Sequence, residues 1–87
     1  MRKIYQVVLM ASCDIDEQLM PIAILYEYPQ LLRNAIIDYL LQFNFDDDEG
    51  EELLKNILHD LQETNYFEDK ETELRFKLVI TPIYKNT

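Results

Sequence analysis

The sequence predicts an α+β domain in which two antiparallel helices pack on a small, mainly antiparallel sheet, in the order β-β-α-α-(β)-β. Three observations predict it. Residues 3–11, KIYQVVLMA, are dense in β-branched and aromatic side chains over the length of one strand. Residues 73–84, ELRFKLVITPIY, alternate in polarity, with Leu74, Phe76, Leu78 and Ile80 on one side. Between these lie two stretches whose apolar residues recur at helical spacing.

Taken in order, residues 3–11 form the first strand, and SCDIDEQ at residues 12–18 reads as a turn. LMPIAILYEY offers a second strand with Ile22, Ile24, Tyr26 and Tyr28 on its inward side, and a helix over residues 14–27 is the rival reading. Pro21 confines such a strand to a sheet edge or delays its start. Pro29 suits the first position of a helix and pushes Tyr28 toward an extended conformation. The helix it opens runs to about Phe43 and carries Leu32, Ile36, Tyr39, Leu40 and Phe43 on one face. Leu31, Ala35, Ile37 and Leu41 widen its apolar arc, which implies burial on more than one side.

From about Asp48 to Glu63 the stripe Leu53, Leu54, Ile57, Leu58 and Leu61 is narrow, as in an amphipathic surface helix. The short acidic linker before it makes the two helices an antiparallel hairpin. Tyr66–Phe67 is a brief strand or a core plug, and EDKET is a turn.

Eighty-seven residues make one domain, residues 1–87, burying roughly 60–65% of the surface of its unfolded chain. A hydrophobic content of 48% is too rich for a disordered acidic tail. The net charge of −9 is unevenly placed. Residues 1–37 set four acids against three bases, residues 38–73 set thirteen against two, and residues 74–87 hold three bases and no acid. Such an acidic middle repels phosphates, which argues against direct nucleic-acid binding or an anionic membrane and favours a cationic partner.

One cysteine, Cys13, leaves the fold independent of an internal disulfide. No apolar run approaches the ~20 residues of a spanning helix. MRKIYQVVLMASC imitates a lipoprotein signal, but Tyr5 and Gln6 break its apolar centre. A cytoplasmic protein is expected.

FNFDDDEGEELL, residues 43–54, invites a chemical reading. It fails as an EF-hand: with Gly50 as the loop glycine, the first ligand falls on Phe45 and the twelfth on Asn56. A looser ion site at Asp46, Asp47 and Asp48 would be weak. Helix capping explains part of the cluster, with Asp46 or Asp48 as N-cap and Glu49 or Glu51 completing a capping box. The surplus fits either a solvated, solubilising loop or a docking surface for Lys- and Arg-rich partners. Its residues are Asp46, Asp47, Asp48, Glu49, Glu51 and Glu52, with a second group at Glu68, Asp69, Glu71 and Glu73. The second group is expected beyond the far end of the helix, roughly 24 Å away at 1.5 Å per residue. Two such patches on a rod resemble spaced phosphates, although Lys55 and Lys70 interrupt the imitation.

Catalytic readings find little support. His59, the single histidine, points away from the apolar stripe between Lys55 and Glu63, where a metal pair lacks a third ligand. Ser12 and Cys13 have no base except that exposed imidazole. Crowded solvated acids lack the burial that separates carboxyl pKa values, and a single glycine makes no phosphate-cradling loop. No enzyme, cofactor or metal is expected.

The tyrosines fall in or beside extended segments. Val79, Thr81 and Ile83, with Ala23 and Leu25, suggest an outer sheet face that is not wholly hydrophilic and is bordered by Arg75 and Lys77. No motif covers enough of the chain to carry a family resemblance. The leading expectation is a small acidic, non-enzymatic protein that docks on a basic surface of a larger protein. Its size and charge resemble those of small acidic inhibitors of nucleic-acid enzymes, such as phage counter-defence proteins. The alternative is an accessory subunit that forms a homodimer or mixed complex through its sheet face.

Overall fold

The computed structural model describes the backbone of residues 2–25 and 30–85 and the side chains of residues 6–25 and 30–81. Its elements are β1 (Arg2–Ser12), β2 (Met20–Leu25), α1 (Gln30–Leu40), α2 (Asp47–Thr64), β3 (Tyr66–Asp69) and β4 (Leu74–Lys85). They form the expected α+β fold: a four-stranded antiparallel sheet in the order β2-β1-β4-β3, with two helices. The N- and C-terminal strands lie side by side in its middle, in one continuous register from Arg2↔Lys85 to Ser12↔Arg75. The segment that imitates a signal sequence is thus an inner strand.

Residues 20–25 are strand, which overturns the rival helix over 14–27. Pro21 lies in an edge strand, and the ladder shifts register opposite it, between Leu9 and Met10. Such an irregularity accommodates a residue without an N–H. The inward side of β2 is the reverse of the expectation. Leu25 is buried and Ala23 packs on the core, while Ile22 and Ile24 are 37% and 47% exposed. The pairs Val7↔Leu25 and Leu9↔Ala23 decide this, because β1 buries Val7, Leu9 and Ala11 and directly opposed residues share a face. The expectations for Tyr26, Tyr28 and Pro29 lie outside the described residues.

In β4 the even positions Leu74, Phe76 and Leu78 are buried as expected. Ile80, on the same side, is 50% exposed. The Leu78 N–H bonds to the Asn65 carbonyl on the β3 side, at 2.9 Å. Alternation along a strand turns the nitrogen of Pro82 to that same side, away from β1, so a proline there breaks no central ladder bond.

Both helices cover the face of Val7, Leu9 and Ala11, and every element contributes to one core. α1 buries only Leu32, Ile36 and Leu40, one residue per turn. Burial on more than one side is not found: Leu31 is at the surface and Leu41 is 74% exposed. In a two-layer fold α1 has the sheet beneath it and α2 beside it, so the rest of a wide apolar arc meets solvent. α2 buries Leu53, Ile57 and Leu61. It ends at Asn65, whose left-handed backbone (φ 61°) lets its N–H bond to the Leu61 carbonyl at 3.0 Å.

Candidate functional site

The acidic cluster begins as a helix cap. Asp46 has extended backbone, and its carboxylate accepts a 2.8 Å hydrogen bond from the Glu49 N–H. Its carbonyl accepts the first helical bond, from Gly50 at 2.8 Å. Asp47, Asp48 and Glu49 then occupy the first turn, against the positive end of the macrodipole. Among the described residues Glu49 does not return the capping-box bond to the Asp46 N–H. Its carboxyl titrates above its ordinary value instead, chiefly through a hydrogen bond with the Asp46 side chain and secondly through that neighbour's charge. The carboxylates of Asp47, Asp48, Glu51 and Glu52 are exposed and make no side-chain hydrogen bond among the described residues.

The second acidic group is partly structural. Asp69 closes the β3–β4 turn, accepting from the Glu71 N–H at 3.1 Å and from the Thr72 hydroxyl at 3.0 Å. The Glu68 carboxylate accepts from the Tyr66 hydroxyl at 3.1 Å, and the Tyr66 pKa is raised, first by burial and then by that bond. Glu71 and Glu73 are exposed, and Glu73 adopts positive φ (63°) in the turn.

The two groups do not sit at opposite ends of a rod. The reversal at Asn65 sends β3 back along α2, drawing the β3–β4 turn toward the end where α2 begins. A run of rings marks that end: Phe45 to Phe43 at 5.9 Å, Phe43 to Tyr39 at 5.7 Å, and Tyr39 to Phe76 at 5.4 Å. The spaced-phosphate arrangement therefore loses its geometric basis. The same end gains acids that the sequence reading left out, because the Ser12↔Arg75 pairing places the β1–β2 turn, with Asp14, Asp16 and Glu17, beside the start of β4. The Arg75 guanidinium donates to the carbonyls of Asp14 and Glu17, fixing this turn through its backbone rather than through an ion pair with its carboxylates.

Comparison with protein-family models, curated proteins and solved structures finds no match. Geometry and charge carry the functional reading.

Among the described residues no lysine or arginine lies within 4 Å of a carboxylate, and the His59 imidazole lies 3.3 Å from the carboxylate of the adjacent Asp60. His59 is exposed on the outer side of α2, and no set of three metal-ligating side chains gathers among the described residues. Tyr39 lies near Cys13 and Glu17, and its pKa is pushed up to about 12, first by burial and then by those two neighbours. An unionised phenol beside an exposed thiol supplies no general base at neutral pH. No helix among the described residues is long and apolar enough to cross a membrane.

Sequence reasoning missed a groove between the helices. Two adjoining depressions of about 290 and 330 Å³ share Arg33, Glu51 and Leu54. Ile37, Leu41 and Phe45 line the first together with Asp46 and Asp47, and Lys55 and Leu58 line the second. The unexplained width of the α1 apolar arc was the signal. Ile37 and Leu41 fill no internal space and form this groove instead.

Proposed function

We propose that the chain is a small, non-enzymatic docking protein that binds a basic surface of a larger cytoplasmic protein. The observation that carries this reading is the gathering at one end of many carboxylates that form no ion pair with a lysine or arginine among the described residues. The first turns of α2, the β1–β2 turn and the β3–β4 turn converge there, with no lysine or arginine within 4 Å of a carboxylate among the described residues. Like charges held together raise the free energy of the isolated protein, and a cationic partner relieves that cost. Inhibition of a nucleic-acid-binding enzyme is the most specific form of the proposal, since such enzymes present Lys- and Arg-rich clefts. The exposed, unpaired Cys13 suits a reducing cytoplasm.

The test is affinity capture from host extract at low and high salt, with the native chain and a variant carrying Asp47→Asn, Asp48→Asn, Glu51→Gln and Glu52→Gln. A partner held by the native chain at low salt, and lost both at high salt and by the variant, supports docking. Equal capture by the two proteins sinks it, leaving the acids a role in solubility.

One observation favours a second reading, an accessory subunit that self-associates. The sheet face opposite the helices carries the cross-strand row Ile24–Val8–Val79, with Ile24 47% exposed. Sedimentation across a concentration series decides it, because an apolar sheet contact persists at high salt where charge-led docking does not.

A further inference from the structure

We infer that the α1–α2 groove receives an amphipathic helix of the partner, with apolar residues seated between the helices and lysines or arginines at the end that meets Asp46 and Asp47. This rests on the docking reading and gives the partner segment its chemistry.

Three features converge on it. The groove walls present Ile37 of α1 with Leu41, which follows its last residue and bonds back to the Ile37 carbonyl at 3.0 Å, and Leu54 and Leu58 from α2, each pair spaced i, i+4. Ridges at that spacing are what a third helix interdigitates with. From Asp47 to Leu58 the α2 wall runs roughly 16 Å at 1.5 Å per residue, matching about eleven residues of a docked helix. Leu41, at the lip, is 74% exposed, more than the other large apolar residues at the surface among the described residues.

Gly50 supplies an independent indication. It is the chain's single glycine, lies inside α2 and lines the groove. Its backbone needs no positive φ, and an added Cβ would meet the Phe45 Cβ at 4.0 Å, an ordinary contact. Neither backbone conformation nor internal packing therefore requires glycine at this position. A side chain there would fill the groove wall, whereas glycine leaves room for a close helix.

Charge orients the occupant. Asp46 and Asp47 line only the first depression and Lys55 only the second, while Arg33 and Glu51 border both. An occupant with cationic residues at the first end and none at the second matches both. A uniformly basic strand or a polyanion matches only one.

The test uses a synthetic peptide of about twelve residues, with leucines at i, i+3, i+4 and i+7 and lysines at one end, and a scrambled isomer of identical composition. Both are titrated against the isotope-labelled native chain at low salt. The expected result is about tenfold tighter binding of the amphipathic isomer, with amide shifts centred on Ile37, Leu41, Gly50 and Leu54. Leu41→Asp should weaken it about tenfold, and Gly50→Ala should weaken it while leaving the spectrum of a folded protein.

Equal binding of the isomers, or shifts confined to the acidic turns, overturns the groove and leaves charge-led docking standing. Absence of binding by either isomer also overturns the groove, and the neutralised variant in the capture experiment then judges docking separately. Self-association of the native chain that Leu41→Asp abolishes would give the groove to a second copy and overturn the inference as well.

Discussion

The two broad faces of the molecule both expose apolar side chains, yet they differ in what borders them. On the helical face, Ile37, Leu41 and Leu54 lie between helices whose near end is lined by Asp46 and Asp47, with Glu51 and Arg33 farther along. On the bare sheet face, the row Ile24–Val8–Val79 lies beside Lys77, with Arg75 and the Glu68 opposite it farther along. Apolar exposure alone marks neither as functional, because most protein surface is apolar by area. Border charge separates them: on the docking proposal the helical face would select a cationic partner, and the sheet face would admit a neutral or anionic one. The two surfaces should therefore respond oppositely to the same perturbations.

The largest effect should come from placing a charge in each face in turn. Leu41→Asp is expected to weaken docking about tenfold, near 1.4 kcal/mol, without altering self-association. Ile24→Asp should abolish any self-association and leave docking unchanged. Both residues are exposed, so thermal unfolding should move little, by about 0.5 kcal/mol or less. If either substitution impairs both associations, the faces are not independent.

Much of the fold was legible in the sequence because local signals agreed with one another. The strict alternation of β4 and the stripe of α2 each named their buried residues, and Phe76, Ile57 and Leu61 are fully buried. The phase of β2 was not legible. IAIL is apolar at every position, so only pairing with Val7 and Leu9 decides which alternate residues face inward. The candidate site divides in the same way. Asp46 as N-cap follows from local spacing, whereas the arrival of Asp14, Asp16 and Glu17 at the acidic end depends on a strand pair 63 positions apart, Ser12↔Arg75. The wide arc of α1 was visible too. It read as deeper burial because sequence alone does not show how many layers cover a helix.

A medium effect separates the structural acids from the surplus. Asp46→Ala removes the cap of α2 and should cost about 1 kcal/mol of stability in denaturant unfolding. Asp47→Asn, Asp48→Asn and Glu52→Gln together should leave stability within about 0.5 kcal/mol while reducing docking at low salt. Gly50→Ala should move the two properties in opposite directions, stabilising the helix by up to about 1 kcal/mol and weakening peptide binding. A variant that gains both would mean that the groove tolerates a wall residue and the occupant does not approach closely.

Tyr39 offers a smaller, pH-resolved contrast. Burial keeps its phenol protonated up to about pH 12, above the ordinary value of 10.0. The raised folded-state value means that the stability it contributes is complete below about pH 10 and is lost as pH rises through about 12. Tyr39→Phe should flatten the alkaline limb of stability in that window relative to the native chain. It should leave peptide binding at neutral pH unchanged, since Tyr39 lies toward Phe76 rather than in the groove.

The smallest effect tests the acidic end most directly. The Glu49 carboxyl is raised by hydrogen bonding with Asp46 and by that neighbour's charge. Protonated Glu49 can donate to its neighbour; ionised Glu49 repels it. The favourable pairing is therefore complete below the ordinary Glu pKa and disappears as pH climbs through the raised value. Glu49→Gln keeps a donor at every pH, so the variant should match the native chain in acid and be slightly more stable near neutrality in denaturant melts. High salt should shrink the difference, because screening relieves the same repulsion. If the advantage is absent, or persists undiminished in salt, the carboxylates at the start of α2 are not held in mutual repulsion, and the electrostatic reason to expect a cationic partner on this face rather than on the sheet is lost.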